Sequence, residues 1–132
     1  MRKLITTVLT AGVLVLPVVN TAAAATKPKV VIRTFTGTTY QVSHFGELQV
    51  VITVKKTTKG KKVTRRITAI SVPLYPDTSG RSQYISENAI PILRSEALRA
   101  QSAKIDFISE ATLTSEAFAG SLQAAIAKAK KA

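Results

Sequence analysis

The hydrophobic pattern changes its period once along the chain, and that change restricts the fold more than any other feature. Over residues 47–55 the apolar side chains Leu48, Val50, Ile52 and Val54 recur at every second position, the period of a strand with one buried face. Residues 63–74 place Ile70, Val72 and Leu74 in the same way, and Thr57-Thr58-Lys59-Gly60-Lys61-Lys62 between them reads as a hairpin with a lysine-rich tip. After the loop residues Pro73, Pro76, Asp77 and Gly80 the spacing becomes three and four. Ile85, Ala89, Leu93, Ala97 and Ala100 predict a helix over residues 82–102, kinked or broken at Pro91, which lacks a backbone donor. Residues 105–108 read as a short strand. Phe118, Leu122, Ala125 and Ile126 mark a second helix over residues 114–130, whose terminal lysines suit the negative end of the helix dipole. Strands followed by segregated helices predict an α+β domain, a small antiparallel sheet packed with two main helices.

The first 25 of the 132 residues belong to a different kind of sequence: 16 of them are apolar. Met1-Arg2-Lys3, an apolar run of about 16 residues containing Pro17, and four closing alanines have the three-part form of a secretory signal. The run is shorter than the roughly 20 residues a spanning helix needs. Cleavage after Ala23, Ala24 or Ala25 is expected, with an uncleaved anchor as the alternative, and the protein is expected outside the cytoplasm. Residues 26–37 form a linker that opens into a first strand at Val30-Val31-Ile32.

What remains is basic, with 17 Lys and Arg against 7 acids. Without cysteine, the chain has no disulfides, thiolate metal sites or thiol nucleophile. The single His44 leaves no histidine-built metal centre, and neither it nor Tyr84 carries a catalytic pattern. Lys55, Lys56, Lys59, Lys61, Lys62, Arg65 and Arg66 have two readings. They form a solvated hairpin that protects a sheet edge, or a surface for an anionic cell-surface polymer or lipid. Nucleic acid is disfavoured, because no aromatic side chains are interleaved to stack on bases.

The segment Asp106-Phe107-Ile108-Ser109-Glu110-Ala111-Thr112-Leu113-Thr114-Ser115 leads into the second helix. Its hydroxyls serve as an N-cap, through Thr114 or Ser115, or join the helix N-terminus in an anion site. This segment resembles the FMN-binding domain family, whose motif is Asp-x-x-Ser-Gly-Ala-Thr-x-Thr-Ser and which includes the C subunit of the sodium-translocating quinone reductase. The likeness continues through Ser121-Leu122-Gln123-Ala124-Ala125. Upstream it runs through Arg81-Ser82, Ile85-Ser86, Pro91 and Leu93-Arg94 to Leu48-Gln49-Val50-Val51-Ile52, covering roughly residues 38–127 within an expected domain of residues 38–132. The resemblance implies FMN attached covalently by a flavin transferase, which joins the FMN phosphate of FAD to the hydroxyl of Thr112. It further implies that Asp106 is read by the transferase, that Ser109 and Ala111 complete the motif, and that Thr114 and Ser115 are phosphate or cap donors. A membrane-bound reductase would supply electrons, making the protein an electron-transfer flavoprotein rather than a stand-alone enzyme. Glu110 replaces the family's Gly and brings a negative charge beside the phosphate, a repulsion of roughly 1 to 3 kcal/mol at about 5 Å. From another class, the alternative is a flavin-free basic surface-binding module of the same fold.

Export is tested by N-terminal sequencing of the protein recovered from its native envelope or medium. The first residue should fall between Ala24 and Thr26, whereas Met1 retained in a membrane fraction would show an anchor.

Overall fold

A computed structural model describes residues 27–132; the expected signal over residues 1–25 lies outside them. The elements are β1 (Lys29–Thr36), β2 (Tyr40–Gln41), β3 (Glu47–Lys59), β4 (Lys62–Leu74), α1 (Gly80–Ala100) and α2 (Thr112–Lys131). They form a small antiparallel four-stranded sheet and two helices, the α+β arrangement that the change of period predicts. β1, β2 and β4 each pair with β3. In the β2–β3 register, Tyr40 stands opposite Leu48 and Gln41 opposite Glu47. Among the described residues no helix is long and apolar enough to cross a membrane.

The chain divides into two compact units. The smaller holds Thr57–Thr64, the basic hairpin tip, with Gly60 at φ +62° in its turn. This is a conformation glycine adopts without the Cβ penalty of other residues. The larger comprises Val31–Lys56 and Arg65–Ala132 and contains the core.

In the larger unit the alternating residues of β3 all point inward: Leu48, Val50, Ile52 and Val54 are buried. On β4 the buried pair is Ile67 and Ile70, three residues apart, with Thr68 and Ala69 exposed between them and Leu74 exposed. An odd spacing between two inward residues means that the strict alternation is reset within the strand, as an extra residue in a bulge does. Beyond it Ile70 and Val72 pack on the core as their spacing predicts, while Leu74, the last residue of the strand, is exposed. From the helices, Ala89, Leu93, Ala97, Phe118, Leu122 and Ala125 close onto the sheet residues.

Two expectations are corrected. α1 runs without a break through Pro91. Pro91 and Glu87 both lie on the exposed face, so the carbonyl that loses its partner is one that water can reach. Residues 105–108 form no strand. At Ile67 the N–H and C=O of β4 are taken by the Gln101 side chain at 2.7 and 3.0 Å, and the Ile108 amide is taken by Ser115 Oγ at 3.1 Å. The donors a new edge strand would use are thus already committed.

Helix α2 meets the sheet through small residues. Ser121 Oγ, fully buried, accepts a 2.8 Å hydrogen bond from the Val50 amide, and the Val50 carbonyl accepts one of 2.8 Å from Gly37 N. A Cβ on Gly37 would fall 2.0 Å from the Ser121 carbonyl oxygen. Ser121→Ala strands a buried donor and should cost about 1–3 kcal/mol. Gly37→Ala forces two backbones apart and should cost about 3 kcal/mol or more. Urea unfolding of both variants checks the order; a Gly37→Ala protein as stable as the unaltered one would contradict this packing.

Candidate functional site

Three segments surround a cavity of about 280 Å³. The first is the turn between β2 and β3, which contributes Val42 and Phe45. It is closed by Val42 N to Gly46 O at 2.8 Å and Phe45 N to Val42 O at 3.0 Å, with Gly46 at φ +138°. The second is the entry to α1. Ser79 caps this helix, its Oγ accepting from Ser82 N at 3.1 Å, and Ser86 Oγ donates to Pro76 O at 2.8 Å. Thr78 Oγ1 donates to Phe45 O at 2.8 Å and so joins the first segment to the second. Pro76, Arg81, Ser82 and Ile85 face the cavity from this side.

The third segment is the motif. Ser109, Glu110, Ala111, Thr112, Leu113 and Thr114 all line the cavity. Thr112 is the first helical residue and is exposed; its Oγ1 makes one long contact, 3.4 Å to Ser109 O. The cap is Ala111, which has no side-chain acceptor, so the expected capping by Thr114 or Ser115 does not occur. Both hydroxyl residues lie inside the helix because it begins two residues earlier than the periodicity suggests. The first-turn amides are left without a side-chain cap, at the positive end of the helix dipole. Thr114 is buried, 5% exposed, and lines the cavity.

Ser115 has another task. It is fully buried, donates from Oγ to Ala111 O at 2.8 Å and accepts from Ile108 N, which pins the loop against the helix. Asp106 is exposed and stands outside the cavity lining. Of the predicted site residues, then, Ser109, Ala111, Thr112 and Thr114 are brought together, while Ser115 braces the wall from behind. A wider hollow of about 420 Å³ continues along α1 past Tyr84, Asn88 and Ile92, and shares Arg81, Ile85, Glu110 and Ala111 with the first.

The sequence reading missed Arg81 and Phe45 as site residues. Among the described residues Arg81 is the only cation in the lining of the first cavity and Glu110 the only acid. The available signal was the position of Arg81 at the second residue of α1, but nothing local connects it with a motif some 30 positions later. His44, with its ring centroid 4.2 Å from that of Phe45, is exposed and outside the lining. Chemically, the arrangement suits an anionic group: a helix entrance without a side-chain cap, the Thr114 hydroxyl and the Arg81 side chain border one space, against a single carboxylate. Neither a protein-family model nor a curated protein matches this chain.

Because Ser115 braces the loop and Thr112 does not, substitutions at the two should part. Ser115→Ala should cost about 1–3 kcal/mol and speed hydrogen exchange at the Ile108 amide. Thr112→Ala should stay within about 0.5 kcal/mol of the unaltered stability. Equal stabilities for the two variants would contradict the division.

Proposed function

We propose that this protein carries FMN on Thr112 through a phosphoester and relays electrons outside the cytoplasm. The observation that carries the reading is the coincidence of two features at one residue. Thr112, the position that the resemblance to the FMN-binding domain family marks for attachment, is an exposed hydroxyl at the first position of a helix beside a cavity.

The residues fit such a group. The phosphate would meet the uncapped first-turn amides and the Thr114 hydroxyl, with Arg81 supplying the opposing charge. Val42, Phe45 and Ile85 give the cavity apolar walls, and the adjoining hollow offers Tyr84 and Ile92. Bound there, the flavin would supply reversible one- and two-electron transfer, with the protein setting position and potential. Attachment is a transfer onto Thr112 Oγ1. Thr112 Oγ1 would form the new O–P bond to the flavin-side phosphorus of FAD as the diphosphate bridge breaks, with AMP leaving and taking up the hydroxyl proton. Exposure of Thr112 and Asp106 suits residues that a transferase must reach. A membrane-bound reductase is the electron donor in this reading.

Glu110 favours the second reading, a flavin-free basic surface module, because its carboxylate lines the space that would hold the phosphate. Intact mass of the protein co-produced with its transferase separates the two: the first reading requires an increment of one FMN less water. Thr112→Ala should abolish that increment and the fluorescence of the denatured band, and peptide mapping that finds flavin on Thr114 or Ser115 would overturn the assignment. Glu110→Gly should speed attachment about fivefold or more, and Glu110→Gln should match it if charge alone is responsible. Equal rates in all three proteins would mean that Glu110 turns away from the phosphate.

A further inference from the structure

A separate cavity of about 220 Å³ lies at the far end of α2, where the sheet meets the last helical turns. Its floor is apolar: Ile67 is 7% and Ala129 5% exposed, and Ile126 is half-buried. Around it stand Arg65, Arg66 and Lys130, all exposed. Lys56 Nζ and Arg65 Nη2 both donate to the Ala132 main-chain oxygen, at 3.1 and 3.3 Å, which brings Lys56 to the same end and engages one donor of Arg65 there. Among the described residues no carboxylate lines the cavity, and the single ion pair is Arg99 with Glu96. Like charges gathered round an apolar hollow repel one another; any anion relieves that repulsion, but only one that carries an apolar segment also covers the hollow.

We propose that this end of the protein is a seat for an anionic phospholipid at a bilayer surface, with the headgroup on Arg65, Arg66 and Lys130 and part of an acyl chain over Ile67, Ile126 and Ala129. Long basic side chains suit both parts, because their methylene stems lie along apolar walls while their charged heads stay in water at headgroup level. A soluble polyanion, such as a wall polymer, satisfies the cations but has no alkyl segment for the floor. The lipid is therefore the better match. The seat does not depend on the flavin reading, since the two cavities share no residue.

The test is binding of the purified protein to vesicles of phosphatidylcholine with and without phosphatidylglycerol; the pure phosphatidylcholine vesicles control for insertion of the apolar N-terminal segment. Binding should need phosphatidylglycerol and weaken about fivefold for each cation removed in Arg65→Gln, Arg66→Gln and Lys130→Gln. The chain has no tryptophan, so Ile126→Trp gives a single reporter on the floor. Its emission should shift to the blue on phosphatidylglycerol vesicles and be quenched by brominated acyl chains. Should that variant fold poorly, Ala129→Leu asks the same question by filling the cavity: vesicle binding should fall while binding to soluble polyphosphate does not. Vesicle binding that persists with the tryptophan unquenched, that survives removal of all three cations, or that is absent while polyphosphate binds would each overturn the proposal.

Discussion

The hydrogen bond from the Val50 amide to Ser121 Oγ fixes how α2 lies on the sheet, and both ends of that helix take their orientation from it. Val50 is on β3, the strand with which every other strand pairs, and its amide and carbonyl are satisfied by Ser121 and Gly37. Such an amide, buried without a partner, is costly, so α2 cannot rotate or slide without a penalty comparable to the loss of a core methyl group. Gly37 makes the contact sterically possible. Gly120 extends the small surface beside it, since a Cβ there would press on the Tyr40 ring at 3.0 to 3.3 Å.

With the phase of α2 set at Ser121, the remaining positions follow from helix geometry. Nine residues at about 100° each amount to about 180° beyond whole turns, so Thr112 and Lys130, nine before and nine after, leave the buried face that Ser121 occupies and stand at the rims of the two cavities. Both are exposed. Thr114 is seven residues before Ser121, about two full turns, and returns to the buried face. One hydroxyl is thereby offered to an incoming group and the other held inside the wall. The placement comes from the docking of the helix middle, not from any feature of its entrance.

The elements legible in the sequence were those with a sustained period. The buried row Leu48, Val50, Ile52 and Val54 and the face of α2 through Phe118, Leu122 and Ala125 stand as their spacing predicts, because one-sided burial forces the period of the element. What stayed hidden depends on partners distant in sequence. Gln101 ends α1 in a left-handed conformation, φ 55°, that glycine would adopt more readily. It is held there because its side chain bonds to Leu98 O and to both backbone groups of Ile67, 34 residues away. The same bonds help deny residues 105–108 a strand partner. Ser115 looked like a cap and proved to be a brace, since its role depends on where Ile108 returns. Within the motif, the run of hydroxyls was visible; which one faces outward was not, because the helix start had to be known to within a single residue.

Charge along α2 adds a further constraint. The helix dipole is positive near Thr112 and negative near Lys131; Lys128, Lys130 and Lys131 in the last turn balance the negative end, whereas the first turn contains no acid and its cap no acceptor. Stability alone would favour a capped N-terminus, and a Ser or Asp in place of Ala111 would supply one at little cost in volume. Its absence leaves the amides available to an anion from outside the chain. Glu110, one residue before the cap, partly screens that field without giving the amides a side-chain bond. An anion at Thr112 would therefore have to outweigh one carboxylate, and the proposed covalent bond would do so irrespective of equilibrium affinity. Thr112 and Lys130 are 18 residues apart, about 27 Å along the axis. A protein seated on lipid by its basic end would thus hold the Thr112 end clear of the surface, beyond the Debye length of about 8 Å at physiological ionic strength. There the field of the bilayer would neither oppose the phosphate nor obstruct the approach of a redox partner.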